Sequence, residues 1–290
     1  FAKPCYFRTI VAKGKGDEGK ISQGIQRLLE EDLTLSYEVS AETNEQILGG
    51  LGEQHLDVAA SKLKSKFGVD IDLLAPKIAY RETIRHKVKV EGKHKKQTGG
   101  HGQYGHVWIE FEPHDGEDLI FEEKVFGGSV PKNFFPAVEK GLQDSAKKGV
   151  LAGFPVVGLK ATLLDGSYHP VDSSEMAFKM AASIAYREGM KKATPWILEP
   201  IGRLKVIVGD ANTGDMMGEL NKRRGRVIGM NPYKNNLTEI EADVPIAEMQ
   251  DFTMTVRQMT QGMGSFTLEF DRYEMLPANL QEDLISKIGD

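Results

Sequence analysis

An α+β fold is predicted, with two split β-α-β units of ferredoxin-like order at the ends of the chain and a central α/β domain of a different order between them. Short runs in which apolar residues alternate mark strands, and longer runs with apolar residues at i, i+4, i+7 and i+8 mark helices. The succession β-α-β-β-α-β is met within 1–76 and again within 199–290, but not between them.

In the first unit Cys5 to Ala12 reads as a strand, and Asp17 as the cap of a helix carrying Ile21, Ile25, Leu28 and Leu29. Leu35, Tyr37 and Val39 alternate as a strand, and Gln46 to Leu48 suggests the next. A second helix places Leu56, Ala60, Leu63 and Phe67 on one face. Gly68 ends it, because glycine accepts the left-handed conformation past a helix end. Val69, Ile71 and Leu73 then form the closing strand.

The middle, 77–198, begins with several strands between Arg85 and Phe126. A helix from Asn133 to Lys148 carries Phe134, Val138 and Leu142, and Val156 to Leu164 is a strand. Asp172 to Glu188 is a helix with Met176, Met180 and Ile184 in line as its core face. In the last unit Leu204, Val206 and Val208 form a strand, and Asn212 or Thr213 caps a helix with Met216, Met217 and Leu220. Val227 to Gly229 and Leu237 to Val244 are strands around a turn at Asn231-Pro232. Pro245 suits a first helical position, followed by Ile246, Met249, Thr253 and Val256 on one face. Phe266, Leu268 and Phe270 alternate as the final strand. The two end units share architecture without visible sequence repetition.

Composition narrows the function. At 290 residues and 40% hydrophobic, the chain can fill the cores of two or three domains. A net charge of -5 rules out a uniformly basic nucleic-acid binder, so any such contact needs local patches. Cys5 is the single cysteine, which excludes an intrachain disulfide and a cysteine-rich zinc site. A reducing, cytoplasmic setting is the expectation. No apolar run reaches the roughly 18 residues of a membrane span, and no signal peptide opens the chain. Phe1 stands directly before strand-like sequence, so a piece of a longer protein is expected.

The densest anomaly is Gly99-Gly100-His101-Gly102-Gln103-Tyr104-Gly105-His106, with four glycines in 99–105. Between strands, it reads as an exposed hairpin tip. It is either a flexible connection or a loop shaped for close approach to an RNA backbone. No helix opens directly after it, so it is not a dinucleotide fingerprint. Arg85 to Lys96 holds six Lys/Arg (85, 87, 89, 93, 95, 96) against Glu91 alone. That run is a solvated strand face or a phosphate-facing strip. Lys222-Arg223-Arg224-Gly225-Arg226 either complements its helix C-terminus or contacts RNA. In the loop Asp165 to Ser173, Asp172 with Glu175 is similar to a capping box. His169, between Tyr168 and Pro170 and off any apolar face, is free to hydrogen-bond phosphate or base edges.

Enzymatic readings fare poorly. Five of the seven histidines (86, 94, 101, 106, 114) lie within 86–114, but without HExxH spacing and on strands that turn side chains to mixed directions. No metal is expected. Ser173, Asp172 and His169 are sequence neighbours without a GxSxG elbow, a poor basis for a triad. No GxxxxGK[ST] occurs, so no P-loop and no catalytic residue is expected in this chain.

Taken in order, several stretches resemble elongation factor G over nearly the whole chain. Leu48 through Asp57 resembles a Gly-Met-Gly-Glu-Leu-His-Leu segment of the family's third domain, and Ala79 through Ile84 its junction into the fourth. Gln97 through Val107, Leu151 through Val157 and Gly166 through Ala177 resemble parts of the fourth. Leu198-Glu199-Pro200, Asn212 through Asp215 and Arg223-Arg224-Gly225 resemble the fifth. The resemblance implies domain III over 1–76, domain IV over 77–198 and domain V over 199–290. It implies a left-handed β-α-β crossover of the ribosomal protein S5 domain 2 type in domain IV, against the usual handedness.

The resemblance also implies a monomeric partner of the ribosome and its RNA, with no membrane role. Gly99, Gly100, His101, Gly102, Gln103, Tyr104, Gly105, Ser167, Tyr168, His169, Asp172 and Ser173 would form a tip reaching transfer RNA and messenger RNA in the decoding centre. Lys222, Arg223, Arg224 and Arg226 would form a second RNA patch, and Glu53 and His55 an inter-domain or ribosome contact. No cofactor is implied for this chain; GTP and magnesium would belong to a GTPase domain outside it. His101 stands where the family commonly has arginine or lysine, and Gln54 at a packing position where it has leucine. Both leave open a paralogue acting in ribosome recycling or tetracycline-resistance ribosome protection.

Overall fold

The computed structural model describes residues 2–97 and 99–289; Thr98, inside the glycine loop, and the terminal Phe1 and Asp290 lie outside the described residues. The chain separates into two compact units. One holds the residues up to Ala79 with Pro200–Tyr273; the other holds Tyr80–Glu199 with the residues from Glu274 on.

The first unit contains two sheets. β1 (Tyr6–Ala12), α1 (Glu18–Glu31), β2 (Ser36–Val39), β3 (Gln46–Gly50), α2 (Glu53–Phe67) and β4 (Ile71–Leu74) follow the expected succession. Their antiparallel sheet has the order β2-β3-β1-β4. Ile21, Ile25 and Leu28 of α1 meet Leu56 and Leu63 of α2 in one core. Gly68 takes φ +66° and its N–H closes on Leu63 and Lys64 carbonyls, the left-handed stop its sequence position predicts. Asp17 occupies the cap position of α1 without a capping hydrogen bond. Gln54 is exposed on α2, so the departure from leucine there leaves packing untouched.

Further along the chain, β10 (Pro195–Gly209), α5 (Thr213–Lys222), β11 (Arg226–Tyr233), β12 (Leu237–Pro245), α6 (Phe252–Thr260) and β13 (Ser265–Met275) repeat the order, as β11-β12-β10-β13. Their core is separate, built on Leu204, Val206, Met216, Leu220, Ile240 and Phe252. The expected turn at Asn231-Pro232 lies inside β11. The chain reverses instead at Asn235 and Asn236, both left-handed at φ +54° and +60°. Asparagine tolerates that region far better than most residues. Pro245 ends β12 rather than opening a helix, and a 3-10 turn at Ile246–Glu248 precedes α6. Asn212 precedes α5 without a side-chain capping bond.

The second unit is built on the sheet β6-β7-β9-β8, from β6 (Val88–Lys96), β7 (Gln103–Pro113), β8 (Ile120–Glu123) and β9 (Leu159–Ser167). β8 and β9 are parallel, joined through α3 (Phe135–Ala146), a β-α-β crossover. α4 (Glu175–Lys192) packs on the same face, and β5 (Arg81–Ile84) pairs with the first residues of β10. Glu82 is buried and its carboxylate accepts the backbone N–H groups of Leu151, Ala152 and Phe154 at 2.8, 3.1 and 2.9 Å. A closing helix, α7 (Ala278–Gly289), was not predicted; Gln281 anchors it by accepting the Ile197 N–H at 2.7 Å.

The core face of α4 differs from the prediction. Met176 and Met180 are 67% and 43% exposed, while Ala177, Ala181, Ala185 and Gly189 are buried. Small side chains win because the opposing surface is backbone. A Cβ at Gly92 would stand 2.1 Å from the Ala181 carbonyl oxygen, and one at Gly105 2.3 Å from that of Ala177. Helix and hairpin therefore approach closely, a contact that large residues would prevent.

Candidate nucleic-acid interface

The close seating of α4 on the β6–β7 hairpin brings the start of α4 to the hairpin end. There the two predicted loops meet. β6 and β7 are in register from Val88↔Phe111 to Lys96↔Gln103, so Gln97 and 99–102 are the described residues of the tip. Gly99 and Gly100 take φ +34° and +131°, which glycine adopts without a Cβ penalty.

A chain of hydrogen bonds ties this tip to 166–173. Tyr104 bridges Ser173 in a parallel pair, and its N–H donates to the Asp172 carbonyl at 2.9 Å. The Ser173 hydroxyl donates to the Tyr104 carbonyl at 2.8 Å and accepts the His169 N–H at 2.9 Å. Tyr104 and Ser167 hydroxyls are 2.6 Å apart, and His106 Nδ1 reaches Ser167 Oγ at 2.7 Å. His94 Nε2 bonds Gln103 Oε1 at 2.8 Å.

Asp172 does not cap α4. Ser174 does, its hydroxyl accepting the Ala177 N–H at 3.1 Å. Asp172 instead accepts the Gly102 N–H on Oδ1 at 3.1 Å. A Cβ at Gly102 would crowd the same carboxylate at 2.9 Å, so glycine admits the contact. The sequence pattern of a capping box thus marks a clamp between loops separated by seventy positions.

A few groups at the tip stay open. Tyr168, Val171 and the His169 side chain are about half exposed or more, and His101 is exposed. His169 Nδ1 accepts the N–H groups of Val171 and Asp172 at 3.3 and 3.2 Å. Two donors on Nδ1 place the ring proton on Nε2, a donor on a half-exposed side chain.

The cationic run 222–226 behaves otherwise. Arg223 is buried. Its guanidinium donates to Glu219 at 3.0 Å, to Asp251 and the Glu248 carbonyl at 2.7 Å, and to Thr255 at 2.9 Å. Hydrogen bonding by Arg223 holds the Asp251 carboxyl below its ordinary range. Arg223 is therefore corrected from RNA contact to internal staple. Arg224 reaches Glu248 at 3.3 Å and Arg226 reaches Asp243 at 3.4 Å, where Arg203 and Arg272 also converge at 2.9 and 3.1 Å. Burial alone would raise Asp243; Arg272 and Arg203 outweigh it and hold the carboxyl low. Lys222 is exposed.

In the first unit His55 also turns inward. Its Nδ1 accepts the Leu51 N–H at 3.0 Å and its Nε2 meets Asp32 at 2.8 Å. The Thr34 hydroxyl and N–H, with His55, bring Asp32 down to about 2. Glu53 is exposed at the first turn of α2.

The histidines of 86–114 do not converge: His86 bonds Thr194, His94 bonds Gln103 and His106 bonds Glu91 and Ser167. Among the described residues no three His, Cys, Asp or Glu side chains are grouped to hold a metal. Among them, too, no helix is long and apolar enough to cross a membrane.

Comparison with known proteins gives the family. Residues 1–75 match elongation factor G domain III, 76–194 its domain IV and 196–284 the elongation factor G C-terminus. The chain belongs to the elongation factor G family, of which it carries these three consecutive domains. It is 49% identical over 288 residues to an elongation factor G-like protein of Thermotoga maritima, covering 99% of this chain and 42% of that protein. It is also similar to a crystal structure of a protein from Thermus thermophilus, with TM-score 0.88 and 42% identity over the whole chain and 43% of that one. The chain thus spans less than half the length of either.

Proposed function

We propose that this chain is the ribosome-contacting part of a factor that promotes movement of transfer RNA and messenger RNA during protein synthesis. Domain IV would enter the decoding centre, with 99–105 and 166–173 as its leading surface. The chain makes and breaks no bond. GTP and its magnesium belong to a GTPase domain elsewhere in the parent, whose hydrolysis is positioned and stabilised electrostatically there.

The observation that carries this reading is the clamp between the loops: Asp172 on Gly102, and Tyr104 on Ser173. A pre-ordered tip meets RNA without the entropy cost of ordering two loops on contact. His169 then presents an Nε2 donor of fixed direction, fit for a phosphate or base edge. Lys222 and exposed parts of Arg224 and Arg226 are left as the second, weaker contact, and the factor acts as a cytoplasmic monomer.

The test uses a full-length factor carrying a GTPase domain. His169→Asn keeps an acceptor near the Nδ1 position and loses the Nε2 donor. It is expected to slow single-round translocation roughly 5- to 150-fold, the equivalent of about 1–3 kcal/mol, with GTP turnover and melting unchanged. Normal translocation by this folded variant removes the tip from the function. A second reading, ribosome recycling or protection, draws on His101 at the tip in place of a fixed cation. It is favoured if the wild-type factor splits or protects ribosomes but does not translocate.

A further inference from the structure

The face of the β6-β7-β9-β8 sheet turned away from α4 shares Tyr104 with the tip and continues beyond it along β7. Along β7, Gly105, Val107 and Ile109 are buried, so Tyr104, His106 and Trp108 share the open face. β6 is an edge strand and sets Lys95 opposite Tyr104, Lys93 opposite His106 and Glu91 opposite Trp108. Lys89 Nζ lies 5.6 Å from the Trp108 ring centre and Lys93 Nζ 5.8 Å from that of Tyr104.

We infer that this face binds single-stranded RNA, with unstacked bases on Tyr104 and Trp108 and phosphates on Lys89, Lys93 and Lys95. Tyr104 and Trp108 are four residues apart on one strand, about 13.6 Å at roughly 3.4 Å per residue, which gives each ring a base of its own with His106 between them. Aromatic rings on a sheet bordered by lysines are the physical requirement for stacking splayed bases while neutralising their backbone. Three carboxylates also surround Trp108: Glu91, bonded to His106 at 2.7 Å, Asp165 across on β9, and Glu110 two residues along β7 on the same face. They repel phosphate from the middle of the sheet, so the backbone follows the lysines of the edge and the bases turn inward. Duplex RNA offers no free base faces, and an acidic peptide needs the lysines but not the rings.

The full chain is titrated with a short, labelled single-stranded oligoadenylate at low salt. Tryptophan emission is expected to be quenched, and not in Trp108→Phe, which keeps a ring and most of the affinity. Trp108→Ala is expected to bind about 5- to 150-fold more weakly. Replacing Lys89, Lys93 and Lys95 together by glutamine is expected to flatten the log–log salt slope by about 2. Absence of wild-type binding, unchanged affinity of a folded Trp108→Ala chain, or equal competition by duplex RNA or polyglutamate overturns the inference. Oligoadenylate binding by Trp108→Ala and translocation by the full-length His169→Asn factor are read in different assays, so the inference and the proposed function of the tip fail separately.

Discussion

The paired loops at 99–105 and 166–173 and the cationic run 222–226 dispose of their polar groups in opposite ways. In the loops, partners come from within the tip and hold its shape, while His169, Tyr168 and His101 remain outward. In the run, partners come from distant carboxylates, Asp251 and Asp243, that engage the guanidiniums themselves. Charge density along a sequence therefore says little about what is free to bind. Where the opposite charges lie in the fold says much more, because a desolvated arginine must be matched inside the protein.

The largest effect expected is on Arg223. Arg223→Ala strands Glu219, Asp251 and the Thr255 hydroxyl. The loss should be roughly 2–3 kcal/mol, below the 3–5 of a fully buried pair because Asp251 is largely exposed. Urea unfolding checks it; a change within about 0.5 kcal/mol would return Arg223 to the surface patch. Asp172→Ala comes next. It should leave melting nearly unchanged, since Ser174 is the cap, yet speed amide exchange at Gly102. An unshifted Gly102 amide would break the clamp.

A smaller effect is expected in the first domain. Asp32 has a depressed carboxyl at about 2, so its contribution is complete above its ordinary pKa near 4 and is lost as pH falls toward 2. Acid titration of melting temperature should show this loss, and Asp32→Asn should remove that part of the pH dependence. If His55→Asn leaves the low-pH limb untouched while weakening ribosome binding, the histidine is a contact and not a clasp. Lys222→Ala, the smallest, should change stability by less than about 0.5 kcal/mol and flatten the salt slope of ribosome binding slightly.

The sequence made the order of elements plain, because helix and strand periods differ and Gly68 stops α2 where it stands. What it concealed were contacts made across the chain. Met176 and Met180 looked like a core face, yet Gly92 and Gly105 left room only for alanines. Asp172 looked like a cap until Gly102, far away in sequence, proved to be its partner. Arg223 looked available because Asp251 and Thr255 cannot be paired with it by spacing. The row Tyr104, His106, Trp108 went unread because 99–106 looked like loop throughout, and only the strand register and sheet order set the lysines beside it.

The central claim of the proposed function is that a pre-ordered tip, and not a cationic run, would carry this chain's action on the ribosome. Single-round translocation by the full-length factor tests it most directly, comparing His169→Asn with Lys222→Ala under saturating GTP. The account predicts a roughly 5- to 150-fold slowing for the first, with GTP turnover intact, and a near-normal rate for the second. A normal rate for His169→Asn together with a severe defect for Lys222→Ala would contradict it.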